Sequence, residues 1–285
     1  MKYIIQKRNQ KFHLSPLRYP GGKNKISKFI ASICKGNNID GHYVEPYAGG
    51  ASVSLYLLFN GYVKKITIND YDRAIYAFWY SVLNDTERFC RKIKNTSVNL
   101  ENWRKQKKIQ ANKNNEKDML ELGFSTFFLN RTNYSGIIDG GMMGGVSQKG
   151  KYKINCRFNK EELIERIRFV AIHKKHIQLK NMDALVLIKQ IRKDKNTIFY
   201  FDPPYYLKGP SLYMNHYRHE DHEKVSAEIK KIKNAKWVVS YDNTLPIRKL
   251  YKYCYSKQYA LRHTAHTPKI GKEIMFLSNN LLVPR

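Results

Sequence analysis

The stretch Thr197-Ile198-Phe199-Tyr200-Phe201-Asp202-Pro203-Pro204-Tyr205 constrains the fold more than any other part of the sequence. It is short, aromatic and β-branched, so it reads as a buried strand, and two prolines then deny it further ladder hydrogen bonds. Asp202 therefore stands at a strand's carboxyl edge, which in an open parallel α/β sheet lines the ligand crevice. The group suits an exocyclic amine on a flat ring. Asp202 and the Pro203 carbonyl accept its two protons, and Tyr205 stacks on the base, a contact of roughly 1–3 kcal/mol. Asp-Pro-Pro alone is equally well a strand-ending turn with a solvated acid, so the rest of the chain must decide.

Two more strand ends carry suitable groups. His42-Tyr43-Val44 runs into Glu45-Pro46-Tyr47-Ala48-Gly49-Gly50, followed by the apolar helix pattern of Val53, Leu55, Leu57 and Leu58. Strand, glycine turn and helix form the first unit of a nucleotide-type fold. Lys65 to Asp70 reads as the next strand, ending in an acid about 20 residues on, where such folds place a carboxylate on ribose hydroxyls. Before both lies Arg18-Tyr19-Pro20-Gly21-Gly22-Lys23, a glycine turn entering a helix; it lacks P-loop spacing, but Lys23 offers a cation to a carboxylate or phosphate.

The α/β alternation lapses from Asp85 to about Lys160. Arg88, Arg91, Lys92, Lys94, Arg104, Lys105, Lys107 and Lys108 crowd there with Trp103, as expected for phosphate contacts and a stacking or wedging ring. The glycine-rich stretch 140–145 is expected to order only on a partner. Afterwards the alternation returns. Ile177 to Leu179 is a strand with Asp183 at its edge, Lys236 to Ser240 another, and Gln258–Arg262 and Glu273–Leu277 pair at an antiparallel edge. The total is roughly seven strands in one mostly parallel α/β sheet.

The chain carries a net charge of +29 over 285 residues. A compact globule with that surplus repels itself unless it meets a polyanion, which favours nucleic acid. Cys34, Cys90, Cys156 and Cys254 form no CxxC pair, so neither a disulfide framework nor a zinc knuckle is written here. With no signal-like apolar core and no run of 18 apolar residues, the chain reads as intracellular and not membrane-bound. His216, His219 and His222 step by three, which does not gather three imidazoles on one ion, and no metal is assigned.

Taken together and in order, Arg-Tyr-Pro-Gly-Gly-Lys, Glu-Pro-Tyr-Ala-Gly-Gly, a strand-end Asp, an insertion and Asp-Pro-Pro-Tyr resemble the Dam-type, alpha-group DNA adenine-N6 methyltransferases from Leu17 to about Leu277. The resemblance implies a Rossmann-like class I methyltransferase sheet formed by 1–84 and 166–285. Residues 85–165 would be an inserted, mainly helical DNA-recognition domain. It implies S-adenosyl-L-methionine as cofactor, held by Tyr19, Gly22, Lys23, Glu45, Pro46, Tyr47, Gly49, Gly50, Asp70, Asp183 and Asp202. Asp202, Pro203, Pro204 and Tyr205 would be catalytic. Arg18, Arg131, Asn133, Tyr134, Ser135, Ile137 and Lys151 would meet double-stranded DNA.

The setting expected is the cytoplasm of a prokaryotic or phage-like system, and a cognate restriction endonuclease acting on the same site is a partner such a reading allows. Asp139 falls where GATC-reading members carry a base-reading arginine; Asp cannot donate to guanine, so GATC specificity is not implied. An N4-cytosine enzyme would usually lead the tetrapeptide with Ser, so Asp202 argues for adenine. An RNA methyltransferase and a non-enzymatic DNA-binding module remain open, although the second would need no Lys23, Asp70 and Asp202 set.

Overall fold

The computed structural model describes residues 14–18, 24–192, 194–207, 217–263 and 269–283, with backbone alone at 24–25, 260–263 and 269–272. Tyr19, Gly22, Lys23 and His216 lie outside the described residues. A seven-stranded sheet runs in the order β3-β2-β1-β4-β5-β7-β6. Its strands are β1 (His42–Glu45), β2 (Lys65–Asn69), β3 (Ile177–Lys180), β4 (Thr197–Phe201), β5 (Lys236–Asp242), β6 (Tyr255–His263) and β7 (Lys269–Leu277). The first five pair in parallel, while β7 runs antiparallel to β5 and β6. Every residue of β1 and β4 is buried; β4 therefore reads as a continuous apolar run, while β1 buries His42 and Glu45 at its two ends. Strand order reverses between β1 and β4, the switch point where such sheets open a crevice at the carboxyl ends.

Helices flank the sheet: α1 (Asn24–Gly36), α2 (Ser52–Phe59), α3 (Arg73–Asn84), α8 (Ala184–Ile191), α9 (His219–Lys230) and α10 (Leu245–Leu250). Asp72 starts α3 by accepting from Ala74 N–H, and Asp183 starts α8 by accepting from Leu185 N–H. Where the alternation lapses there are α4 (Thr86–Asn95), α5 (Leu100–Ala111), α6 (Met119–Thr132) and α7 (Lys160–Ala171). Residue 165 thus falls inside α7.

These helices have no core of their own. Phe89, Phe124, Phe127, Phe128 and Phe158 join Phe78, Trp79 and the sheet residues Ile66, Ile68 and Tyr200 in one apolar cluster. Gly123 of α6 allows this approach, because a Cβ there would sit 2.5 Å from the Ala77 carbonyl oxygen of α3. No helix among the described residues is long and apolar enough to cross a membrane.

The stretch 140–145 departs from the expectation that only a partner would order it. Tyr134 N–H donates to the Gly141 carbonyl at 3.0 Å and Met143 N–H to that of Thr132 at 2.9 Å. Gln148 Nε2 donates to the Met143 and Gly145 carbonyls, and its Oε1 accepts from Ile154 N–H. With Met142 and Met143 buried, the stretch is held by hydrogen bonds with neighbouring residues of the chain and by its own apolar anchors.

Candidate active site

The crevice is built from the carboxyl ends of β1, β2, β4 and β5. At the first two, Gly49 N–H donates to Asp70 Oδ2 at 2.9 Å, and Asp72 N–H to Oδ1 at 2.9 Å. Burial and the neighbouring Asp72 carboxylate raise the Asp70 acid to about 7. Asn69, fully buried, stitches three strand ends together by donating to the Pro46 and Met182 carbonyls and accepting from Met182 N–H. Trp79 Nε1 donates to the Gly49 carbonyl at 2.9 Å, fixing the glycine turn from below. Ala51 precedes helix α2 and cannot cap it, so the helix's first amides carry no capping side chain.

At β4, Ser240 Oγ donates to Asp202 Oδ1 at 2.8 Å. Ser240 has one hydroxyl proton, so Tyr200, 2.8 Å away, must donate to it. Beyond the prolines, Asp242 of β5 accepts from Tyr206 N–H at 2.8 Å and Leu207 N–H at 2.9 Å. The tetrapeptide is thus held at both ends by β5. Tyr205 is buried, and its hydroxyl donates to Glu273 at 2.5 Å. That departs from an open ring waiting for a base: burial covers it, and Glu273 holds its hydroxyl.

Other expected site residues have different occupations. Glu45 is buried with Oε1 accepting from Tyr43 and Oε2 from Ser54, so it supports the crevice from beneath; burial pushes its acid up to about 8. Asp183 caps α8. Tyr47 meets Tyr217 hydroxyl to hydroxyl at 3.1 Å. His222 is buried on Tyr241, whereas His219 turns to Tyr206 and Glu223.

The α4–α7 segment presents a second group. Asn130 accepts from Arg18 N–H and donates to the carbonyls of Arg18 and Gly136, tying the N-terminal motif to the turn after α6. Gly136, at φ 79°, leaves no room for a side chain: a Cβ would meet the Arg18 carbonyl oxygen at 2.4 Å. Asn133 is a correction. It is wholly buried, donates to the Ile137 and Ile138 carbonyls and accepts from Trp103 Nε1 at 2.7 Å, so it holds the loop instead of facing DNA.

Trp103 and Lys107 are corrected with it. The half-buried indole is anchored on Asn133 rather than free to wedge, and the Lys107 ammonium reaches the Ile138 and Asp139 carbonyls. Arg131 likewise donates to the Arg157 and Pro16 carbonyls, and burial beside Arg18 lowers its guanidinium to about 9. Arg18 donates to the Asn133 carbonyl at 3.4 Å. Tyr134, Asp139 and Lys151 are exposed, and Ser135 and Ile137 are half-exposed beside them.

Comparison with known proteins gives these features a family. The model of the D12 class N6 adenine-specific DNA methyltransferases matches residues 19–265. The chain is 25% identical over 205 residues to the Type II methyltransferase M.MjaIII of Methanocaldococcus jannaschii, covering 66% of this chain and 68% of that protein. Among solved structures it is similar to a SAM-dependent methyltransferase from Agrobacterium tumefaciens, at TM-score 0.41 and 9% identity over 90% of this chain and 61% of that one. It is also similar to the rRNA methyltransferase aviRa from Streptomyces viridochromogenes, at TM-score 0.40 and 11% identity over 91% and 85%. With the family model spanning the glycine turn, the α4–α7 segment and Asp-Pro-Pro-Tyr, the chain belongs to the D12 class N6 adenine-specific DNA methyltransferase family.

Proposed function

We propose that Asp202 and the Pro203 carbonyl perform the family's reaction by holding the N6 amino group of an adenine turned out of duplex DNA. The observation carrying this reading is the Ser240–Asp202 hydrogen bond, which fixes the carboxylate at the crevice between β4 and β5. Adenine N6 is a poor nucleophile because its lone pair is delocalised into the ring. Two acceptors on its N–H groups favour a pyramidal nitrogen and direct that lone pair, so the residues act by orientation and electrostatics. Bringing the base out of the stack costs a few kcal/mol.

S-adenosyl-L-methionine, the donor this family uses, supplies an electrophilic methyl when bound. The residues fit it. Asp70 accepts from the ribose hydroxyls, the Gly49–Gly50 turn allows close approach, and Pro46 and Tyr47 line the same strand end. Lys23, with Tyr19 and Gly22, belongs to the N-terminal motif that completes this part of the proposal. The α4–α7 segment with its following loops reads the duplex, with Tyr134, Ser135, Ile137 and Lys151 toward DNA. A cognate endonuclease and a prokaryotic or phage-like setting belong to the same proposal.

The test is labelled-methyl transfer to unmethylated DNA, with the product nucleoside identified. N6-methyladenine from the wild type is expected. Asp202→Ala should lose about 10²-fold or more in turnover while still binding cofactor and duplex. Full turnover in that variant would remove Asp202 from the chemistry, and N4-methylcytosine would show a different target base.

A further inference from the structure

One buried carboxylate near the candidate active site has no part in the proposal above. Glu273 of β7 is 1% exposed, stands opposite Tyr259 on β6 and opposite Asp242 on β5, and takes one phenol on each oxygen. Oε1 accepts from Tyr205 and Oε2 from Tyr259, both at 2.5 Å. The Tyr259 phenol also lies beside Ser240, the residue that donates to Asp202. Glu273 thus joins Tyr205, the last residue of the tetrapeptide, to Tyr259, whose phenol sits next to the Ser240 that holds Asp202, the first.

We propose that Glu273 is a positioning residue for methyl transfer, fixing the Asp202–Tyr205 turn by holding the Tyr205 and Tyr259 phenols together on its two carboxylate oxygens. The inference rests on reading Asp202–Tyr205 as the catalytic tetrapeptide. Each oxygen of the Glu273 carboxyl accepts from one phenol, so two rings are held on a single side chain. Both O–H···O contacts are short, 2.5 Å, which fixes the two phenols closely to the carboxyl. A glutamine offers one phenol an N–H₂ donor instead, so that phenol must turn its proton elsewhere. Because the reaction depends on aiming a lone pair, a small displacement of the turn lowers turnover without weakening the grip on either ligand.

The experiment measures labelled-methyl transfer at saturating S-adenosylmethionine and unmethylated DNA, with cofactor and duplex affinities measured in parallel. Glu273→Gln is expected to lower kcat about tenfold, while KM for cofactor and Kd for duplex stay within twofold. Tyr205→Phe should give a similar loss, and in the double variant the losses should combine to less than their product, because both changes act on the one carboxyl that holds the turn. Glu273→Leu should lose more; where it fails to fold, Glu273→Gln and Tyr259→Phe still decide.

Wild-type kcat in Glu273→Gln and Tyr259→Phe, multiplying losses in the double variant, or a change confined to KM would each overturn the proposal. Asp202→Ala is the control for the reading beneath it. An active Asp202→Ala removes the catalytic assignment itself, whereas an inactive one beside a fully active Glu273→Gln removes only the positioning role.

Discussion

Gly49 gives its backbone N–H to Asp70 Oδ2 at 2.9 Å, closing the glycine turn after β1 onto the acid after β2. The turn and the acid are thus locked to each other by the protein alone. Asp70→Ala removes both this bond and the proposed ribose acceptor, and cofactor affinity should fall by roughly 1.5–3 kcal/mol. Because the acid sits near 7, the ionised acceptor accumulates as pH rises through that value. Affinity should therefore strengthen from pH 6 to 8 in the wild type and lose that component in Asp70→Asn. Calorimetry at both pH values checks this; equal affinities for wild type and both variants would take Asp70 out of the site.

The stability of the chain should fall as pH rises above 6.5, and Glu45 is the main reason. Its acid is raised by burial to about 8 in the folded chain but is ordinary when unfolded, so its contribution is complete below about 4.5 and is lost as pH climbs through 8. Asp70 adds in the same direction. His42 and His222, lowered to about 4 by burial, act oppositely, but only below 6.5. Thermal unfolding between pH 6.5 and 8.5 should show a falling Tm in the wild type and a flatter profile in Glu45→Gln. Parallel profiles would mean that Glu45 ionises as freely as in the unfolded chain.

Exposed cations and loop residues should separate in DNA binding. Arg104, Lys105 and Lys108 are exposed on α5, while Lys107 beside them is committed to the loop carbonyls. Neutralising Lys105 and Lys108 should weaken binding to all duplexes and flatten the salt slope by up to about 0.9 per lost phosphate contact. Changing Tyr134, Ile137 or Asp139 should instead alter the ratio between the true site and one-base variants, each mismatch costing about 1–3 kcal/mol. Methylation-site sequencing on a random library reads the second effect. An unchanged motif in all three variants would place base reading elsewhere.

Asn133 should behave as a structural residue whose loss is felt at the loop. Asn133→Ala leaves the Trp103 N–H and two loop carbonyls without partners, each worth about 1–3 kcal/mol if it stays buried. A Tm several degrees lower is expected, together with blurred site choice. Wild-type stability in this variant would show that water replaces all three contacts.

The strand count and the antiparallel edge were legible because buried strands announce themselves by apolar runs closed by turn residues. Gly49 and Asp70 were legible because turn and acid keep a fixed separation along the chain. Ser240, Asn69 and Glu273 were not, since each does its work across the sheet and no local pattern ties it to its partner. A faint signal existed for Glu273: strand alternation puts it on the face of Met275 and Leu277, both buried, where a lone acid calls for donors. Asn133 misled for the opposite reason. Polar residues in a loop that reads DNA and polar residues that brace such a loop have the same composition, and only burial tells them apart.

The shared aromatic core bears on how specificity can change over time. Phe124, Phe127 and Phe128 pack with Phe78 and the sheet, and Gly123 lets α6 lie directly on the α3 backbone. If the α4–α7 segment reads DNA as proposed, it cannot be exchanged as a cassette between relatives, because a foreign one would arrive with the wrong relief for α3. On that proposal, new target sequences would be reached by substitution at exposed residues such as Tyr134, Asp139 and Lys151, while the aromatic wall behind them stays fixed.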